Sequence, residues 1–126
     1  MYLLTVCEEF AAAHALREYD GKCARPHGHN FRVEVAVRGS QLGPAGLLMD
    51  FAELKRIVRA LLAGLDHQDL NELPAFQVRN PTAEHLAHYI FAELEPRMPE
   101  GIAVDAVTVW ENERSAATYR REPREG

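Results

Sequence analysis

Large apolar side chains occupy every odd position from 31 to 37, and this alternation limits what the chain can fold into more than any other feature. Arg32, Glu34 and Arg38 lie at even positions of the same stretch. Such alternation is typical of a β-strand with one buried face and one exposed face. Other parts of the chain must therefore cover the apolar face of this strand.

Four further stretches are predicted to be strands. Residues 2–14 carry apolar side chains at most even positions, with an interruption at Glu8. Residues 46–50 predict a short third strand, and strands are also predicted over residues 102–111 and 116–120.

Two stretches between these strands repeat their apolar residues at helical spacing. The first helix is predicted to begin at Asp50, which forms a capping box with Glu53, and to end at Gly64. The second is predicted to open at residues 80–82 and to continue to Pro96. Strands at both ends with two helices between them predict an α+β fold, an antiparallel sheet covered on one face by a helix pair.

Length and composition indicate one ordinary globular domain. The chain has 126 residues, 47% of them hydrophobic and 26% charged, so we expect a single domain over residues 1–126 rather than a disordered or disulfide-stapled chain. A net charge of −5 disfavours nucleic acid and anionic membranes as partners. We see no export signal at the start of the chain and expect a cytoplasmic protein.

Three histidines are predicted to share the covered face. His27 and His29 have the parity of Phe31, and His14 has the parity of Phe10. Three imidazoles with an open fourth position are typical of a catalytic zinc site. The alternative is that the histidines are polar residues satisfied near strand ends, because so short a motif also arises by chance.

Cys23 and Cys7 are expected to be free thiols, as in most proteins of a reducing compartment. Cys23 lies four residues before His27, where a nearby metal and basic residues would favour a thiolate that acts as base or nucleophile. Alternatively, Cys23 is a fourth metal ligand and the site is structural. Cys7 is interpreted as a packing residue.

Asp66 and His67 are adjacent after the first helix, and such a pair suits proton transfer near neutral pH. The competing interpretation is a turn and cap. Glu84 falls in the first turn of the second helix, where the helix dipole alone accounts for a carboxylate. Glu111 closes an apolar strand, so it lies either at the sheet rim or against a bound group.

Six motifs occur in the order and spacing of the 6-pyruvoyltetrahydropterin synthase superfamily, and the chain resembles that family from about Phe10 to Arg120. They are FAAAH, KCARPHGHNF, LLMDFAELK, LDHQDLNE, NPTAEHLA and VWEN. The three residues between Cys23 and His27 are similar to the bacterial 6-carboxytetrahydropterin synthases of the queuosine pathway. The pyruvoyl-forming enzymes have a longer interval there.

The resemblance implies a tunnelling fold (T-fold), in which subunits join their sheets into a barrel, as a homohexamer of two stacked trimers. It implies that zinc is the cofactor. The zinc ligands would be His14, His27 and His29, and the proton-transferring residues Cys23, Asp66 and His67. Glu111 would be the pterin anchor, assisted by Thr82 and Glu84.

The substrate that the resemblance implies is 7,8-dihydroneopterin triphosphate, converted to 6-carboxytetrahydropterin, acetaldehyde and triphosphate. The alternatives are a 6-pyruvoyltetrahydropterin synthase, which eliminates triphosphate without cleaving the side chain, and a catalytically silent zinc- or pterin-binding protein. A polyanionic substrate needs a local basic cluster in an acidic protein. The candidates are Arg17, Lys22, Arg25, Arg114, Arg120 and Arg121.

Overall fold

The computed structural model describes residues 1–18, 21 and 25–122. Its strands and α-helices are, in chain order, β1 Tyr2–His14, β2 His27–Gly39, α1 Phe51–Leu62, β3 Gln68–Asp69, α2 Ala83–Leu94, β4 Ala103–Trp110 and β5 Ala116–Tyr119. Short 3-10 helices occur at Leu70–Glu72, Pro74–Phe76 and Glu95–Arg97. The predicted α+β class and the five-strand count are confirmed, although one predicted strand is replaced by another.

The strands form one sheet in the order β3-β1-β2-β4-β5. All neighbours are antiparallel except β3, which runs parallel to β1 with Ala12 opposite Gln68 and Ala13 opposite Asp69. The sheet is therefore mixed, and the prediction of a wholly antiparallel sheet is wrong. A contact of two residues is too short to leave an alternating pattern in the sequence.

The alternation in β2 has the predicted consequence. Phe31, Val33 and Val35 are fully buried beneath the two helices, which lie on the same face of the sheet. Helix α1 contacts β1, and helix α2 contacts β4 and β5. Each helix packs a buried apolar stripe against this face. The stripe of α1 consists of leucine, isoleucine and valine, and that of α2 consists mainly of leucine, alanine, isoleucine and phenylalanine. Burial of this apolar surface is the main stabilising contribution to the layer.

The helix ends are close to the predicted positions. The Asp50 carboxylate accepts a hydrogen bond from the Ala52 N–H at 2.8 Å and so caps α1. Thr82 caps α2 by accepting from the His85 N–H at 3.1 Å. The helices end at Leu62 and Leu94, just before the glycine and proline that predicted their ends.

The predicted strand over residues 46–50 is absent from the structure. A tight turn occupies this region, in which the Gly46 N–H donates to the Gly43 carbonyl at 2.9 Å and the Gly43 N–H donates to the Leu47 carbonyl at 2.8 Å. Gly46 has φ +80°, a left-handed conformation that glycine adopts at no steric cost. Because these backbone groups bond within the loop, they are not available to a strand ladder.

β1 continues through Glu8, where the sequence predicted an interruption. The Glu8 side chain has the parity of the buried residues and is only 15% exposed, and its carboxylate lies 2.9 Å from Arg59 Nε on α1. An ion pair makes an inward-facing carboxylate tolerable at the edge of the core. Cys7, which has the opposite parity, is exposed. The interpretation of Cys7 as a packing residue is therefore wrong.

The described part of the chain contains no helix that is long and apolar enough to cross a membrane.

Candidate metal centre and adjoining cavities

The pairing of β1 with β2 brings the three predicted histidines together at one end of the sheet. His14 lies directly opposite His27 in the antiparallel register, and His29 is opposite Ala12. The ring centroids are 4.6 Å apart for His14 and His27, 4.6 Å for His27 and His29, and 5.0 Å for His14 and His29. One ligand nitrogen from each ring lies within 4.8 Å of the others.

Hydrogen bonds to backbone carbonyls orient two of these rings. His14 Nδ1 donates to the Pro81 carbonyl at 2.6 Å, and His27 Nδ1 donates to the Arg25 carbonyl at 2.7 Å. The proton on Nδ1 leaves Nε2 with a free lone pair, which is the tautomer that a metal ion needs. The backbone carbonyls of Pro81 and Arg25 therefore fix the orientation of the His14 and His27 rings.

Two of the remaining ring nitrogens are buried without a hydrogen-bond partner among the described residues. His14 is only 1% exposed, and Nε2 of both His14 and His29 has no hydrogen bond within the described residues. Burial, followed by the neighbouring His14 ring, lowers the pKa of His29 and so favours its neutral, metal-binding form. Unpartnered buried nitrogens are costly unless something binds them, so the three residues fit a metal ion.

Glu111 lies beside this cluster, with Oε1 4.0 Å from His14 Nε2. It follows the end of β4, and its N–H donates to the Ser115 carbonyl at 3.2 Å across the turn to β5. Its side chain is about one-third exposed and lines a cavity of about 460 Å³. The sequence left two alternatives for Glu111, the sheet rim or a position against a bound group. The structure places Glu111 at the sheet rim, where its carboxylate also faces a cavity.

Glu84 lines the same cavity from the first turn of α2. The Thr82 hydroxyl is committed to capping α2, and the neighbouring Pro81 carbonyl holds His14. The start of α2 thus borders both the histidine cluster and the cavity beside Glu111.

Asp66 and His67 form the predicted pair, with Asp66 Oδ2 2.9 Å from His67 Nδ1. Asp66 Oδ1 also accepts from the Ala11 N–H at 2.9 Å. The bond from Ala11 and then the bond from His67 lower the pKa of Asp66, which keeps its carboxyl group ionised.

His67 occupies a left-handed backbone conformation with φ +59°. Such a backbone conformation is unfavourable for most residues other than glycine. The hydrogen bond from the His67 N–H to the Ala11 carbonyl stabilises it here. His67 and His29 line one cavity of about 500 Å³. The structure therefore places His67, with Asp66 beside it, on a cavity that reaches the histidine cluster.

The predicted thiol Cys23 and the basic candidate Lys22 lie outside the described residues. Three other basic candidates are engaged elsewhere: the Arg17 guanidinium donates to carbonyls of residues 76–79, Arg120 pairs with Asp105, and Arg121 pairs with Glu95. Arg25 and Arg114 form no ion pair within the described residues and remain candidates for binding an anion.

Two residues that support the site were missed by sequence reasoning. The side-chain amides of Asn71 and Asn80 bond to the backbone directly after His14. Asn71 falls in the predicted loop after the first helix and Asn80 at the predicted opening of the second, and a bond from one side chain to a distant backbone leaves no periodic signal. Their presence inside the motifs LDHQDLNE and NPTAEHLA is the only hint in the sequence.

Comparison with known proteins gives one consistent result. Residues 3–122 match the family described as 6-pyruvoyl tetrahydropterin synthase. The chain is 40% identical over 115 residues to the 6-carboxy-5,6,7,8-tetrahydropterin synthase of Synechocystis sp., which covers 87% of this chain and 86% of that protein. It is 36% identical over 107 residues to human 6-pyruvoyl tetrahydrobiopterin synthase, covering 81% of this chain and 72% of the human protein.

A solved structure agrees with these matches. The 6-pyruvoyl tetrahydropterin synthase of Caenorhabditis elegans superposes with a TM-score of 0.85 at 27% identity, covering 96% of each chain.

We predict that the purified protein holds close to one metal ion per chain and that His27→Ala or His29→Ala abolishes metal binding. Each variant removes one of three converging imidazoles, and two imidazoles bind a divalent ion far more weakly. Elemental analysis by mass spectrometry measures the metal content. His88→Ala is the matched control, because His88 stacks on Tyr119 away from the cluster and its loss should leave the metal content unchanged. Full occupancy in either ligand variant would contradict the assignment.

Proposed function

The chain belongs to the 6-pyruvoyl tetrahydropterin synthase family, and from this premise we propose that it is a 6-carboxy-5,6,7,8-tetrahydropterin synthase. It would convert 7,8-dihydroneopterin triphosphate to 6-carboxytetrahydropterin, acetaldehyde and triphosphate, as a cytoplasmic enzyme of queuosine and deazapurine biosynthesis. The observation that carries the proposal is the convergence of an unsatisfied three-histidine cluster, a carboxylate-lined cavity and an Asp–His pair at one end of the sheet.

Two observations support the carboxy-forming subtype. The Synechocystis relative that bears this name is 40% identical over 87% of the chain. The interval of three residues between Cys23 and His27 is similar to that of the bacterial carboxy-forming enzymes.

We propose zinc as the metal, because three neutral imidazoles and an open coordination position are typical of catalytic zinc. When bound, zinc supplies a Lewis acid that acidifies the side-chain hydroxyls of the substrate. His14 and His27 would hold it through the nitrogens that their backbone hydrogen bonds leave free, and His29 through its unpartnered Nε2.

Glu111 would bind the pterin ring. The 2-amino-4-oxopyrimidine edge of a pterin presents neighbouring N–H donors that one carboxylate can accept as a pair. The cavity beside Glu111 also carries Glu84, which would contribute a further acceptor, and Thr82 would shape the end of this cavity as the cap of α2. Because Glu111 is 4.0 Å from His14, a ring held there lies next to the metal.

Cys23 and His67 would move protons between the ring and the side chain of the substrate. Asp66 would keep the His67 imidazole oriented through their contact at 2.9 Å. Cys23 belongs to the stretch that connects the ligands His14 and His27, which makes it the thiol best placed along the chain for this role.

We propose that the active form is a homohexamer of two stacked trimers. Within the described residues, β1 has a partner on its outer edge only at Ala12 and Ala13, so most of this long edge can pair with another subunit. The sheet face opposite the helices is also uncovered by any described element. Native mass spectrometry measures the number of chains in the assembly.

The second candidate is a 6-pyruvoyltetrahydropterin synthase, which the 36% identity to the human enzyme favours. We predict that incubation with 7,8-dihydroneopterin triphosphate releases acetaldehyde and triphosphate in equal amounts. Side-chain cleavage yields both products, whereas the pyruvoyl-forming reaction yields triphosphate alone. Acetaldehyde is measured by coupled reduction with NADH. Triphosphate without acetaldehyde would identify the second candidate, and release of neither would indicate a silent binding protein.

We predict that Cys23→Ala retains its metal ion and loses nearly all turnover. A residue that transfers a proton is needed for the reaction and not for metal binding. Cys7→Ala is the matched control, since Cys7 is exposed on the uncovered face of the sheet and should be dispensable. Metal content and turnover are measured on the same preparations. Loss of the metal on replacing Cys23 would favour the alternative of a closed structural site.

We predict that Glu111→Gln lowers substrate binding or turnover by about 30- to 1000-fold, equivalent to roughly 2–4 kcal/mol. Glutamine keeps the size of the side chain but turns an amide donor towards the donors of the pterin. Stability should change little, since the carboxylate has no hydrogen-bonded partner of its own among the described side chains. Steady-state kinetics and melting temperature separate the two effects.

Glu113→Gln is the control for this substitution, because Glu113 is exposed in the same turn and should tolerate the change. Near wild-type kinetics for Glu111→Gln, or unfolding without a kinetic defect, would show that the pterin anchor lies elsewhere.

A further inference from the structure

The hydrogen bond that orients His14 closes a ring of covalent and hydrogen bonds through two segments of the chain. His14 Nδ1 donates to the Pro81 carbonyl at 2.6 Å. Beyond His14, the Arg17 N–H donates to Asn80 Oδ1 at 2.9 Å, and Asn80 Nδ2 donates to the Arg17 carbonyl at 2.7 Å. Asn80 directly precedes Pro81, so the position of Asn80 limits where the Pro81 carbonyl can lie.

The dipeptide Asn80–Pro81 is stiff and therefore transmits this constraint. The proline ring fixes φ at about −65°, and the residue before a proline is confined mainly to extended conformations. Pro81 is also buried, and Thr82 directly after it caps α2. The Pro81 carbonyl thus has little freedom to turn while Asn80 and α2 stay in place.

Asn80 is held from both sides. Its Oδ1 accepts a second bond, from Arg17 Nε at 3.2 Å. Its carbonyl accepts from His85 Nδ1 at 2.6 Å, and His85 lies in the first turn of α2. Asn80 therefore links the chain that leaves β1 to the start of the second helix.

The Arg17 guanidinium holds the segment that precedes α2. It donates to the carbonyls of Phe76, of Gln77 at 3.2 Å and of Arg79 at 3.0 Å. The first two of these carbonyls lie at the end of a 3-10 helix, where carbonyls lack partners within the helix. All acceptors of the Arg17 side chain among the described residues belong to residues 76–80, so this side chain supports the segment.

His14 needs support from outside the strand pair. It is the last residue of β1, and the ends of strands are where backbone ladders open most easily. A proton on Nδ1 leaves Nε2 free for a metal ion, whereas a proton on Nε2 would block it. Because His14 Nε2 has no hydrogen-bond partner within the described residues, the bond to Pro81 is the one that selects the metal-binding form of this ring.

We propose that Arg17 and Asn80 are positioning residues of the metal centre, which hold the Pro81 carbonyl against His14 Nδ1. The inference rests on the metal centre proposed above and is independent of the reaction that the centre catalyses. Loss of either side chain should leave all three imidazoles present and free the His14 ring to rotate and to change its tautomer. Zinc binding should then weaken, because the outer hydrogen-bond partners of metal ligands contribute to affinity.

The test uses the full chain and the variants Arg17→Ala and Asn80→Ala. The measurements are the affinity for Zn²⁺ by competition with a chromophoric chelator, the ¹⁵N NMR signals of the histidine rings in the metal-free protein, and the melting temperature. The ring signals distinguish a proton on Nδ1 from a proton on Nε2, and a His14→Ala variant assigns the signals of His14. They therefore report on the tautomer without metal or substrate.

Two control variants remove comparable side chains. Arg121→Ala removes an exposed arginine that pairs with Glu95. Gln77→Ala removes an amide of the same segment, whose Nε2 donates to the Glu72 carbonyl at 3.2 Å. Both controls should bind zinc as tightly as the parent.

We expect Arg17→Ala and Asn80→Ala to weaken zinc binding by about 10-fold, the lower end of the range for outer partners of metal ligands. The His14 signals should change from the Nδ1–H form to a mixture of both tautomers. Removal of a positive charge near a cation site would by itself strengthen binding, so weaker binding in Arg17→Ala has the opposite sign to a charge effect. Arg17→Lys keeps the charge without the fork of donors and should also bind zinc more weakly. Asn80→Asp keeps the acceptor and loses the donor, so its affinity should be intermediate.

The proposal is overturned if the zinc affinity and the His14 signals of both alanine variants match those of the parent. It is also overturned if the two controls weaken zinc binding to the same extent, since the effect would then follow general destabilisation. If the alanine variants do not fold, Arg17→Lys and Asn80→Asp decide by the same criteria. A parent protein that binds no zinc would refute the metal centre itself, whereas failure of this inference alone would appear only in the variants.

Discussion

The antiparallel pairing of β1 with β2 is the interaction on which the site depends. Both strands have thirteen residues, and the register places His14 directly opposite His27 at one end of the pair. A slip of one residue would move every side chain of one strand to the other face. The buried residues of both strands therefore stabilise the fold and also hold the histidines on a common face.

The histidine cluster sits where the hydrophobic layer ends. Phe31 packs edge-on against both His14 and His29, with centroids 5.4 Å away in each case. Burial beside this apolar wall lowers the pKa of His29 and so favours its neutral form, which suits metal binding. Two buried nitrogens of the cluster have no hydrogen-bond partner among the described residues, so the cluster is less favourable in isolation than with a bound ion.

Much of this arrangement could be predicted from residue parity. The parity of His14, His27 and His29 predicted the cluster, because a strand has a period of two that the sequence displays directly. β3 and the side-chain bonds of Asn71 and Asn80 could not be predicted in this way, since each depends on where a loop returns to the edge of β1. The turn at Gly46 was mistaken for a strand because it carries the apolar run Leu47, Leu48 and Met49, of which only Met49 is buried in the core and none joins a ladder.

Two cavities reach the metal centre from different sides of the sheet end. Glu111 and Glu84 line the cavity bordered by α2 and β5, whereas His67 lines the cavity bordered by β1 and β2. In the proposed enzyme, the pterin ring would bind on the side of Glu111 and Glu84, and its side chain would extend past the three histidines towards His67. Separate approaches would allow Glu111 to remain a hydrogen-bond acceptor while the imidazole opposite exchanges protons. Ring recognition by Glu111 and proton transfer by His67 would then take place in separate cavities and would not interfere with each other.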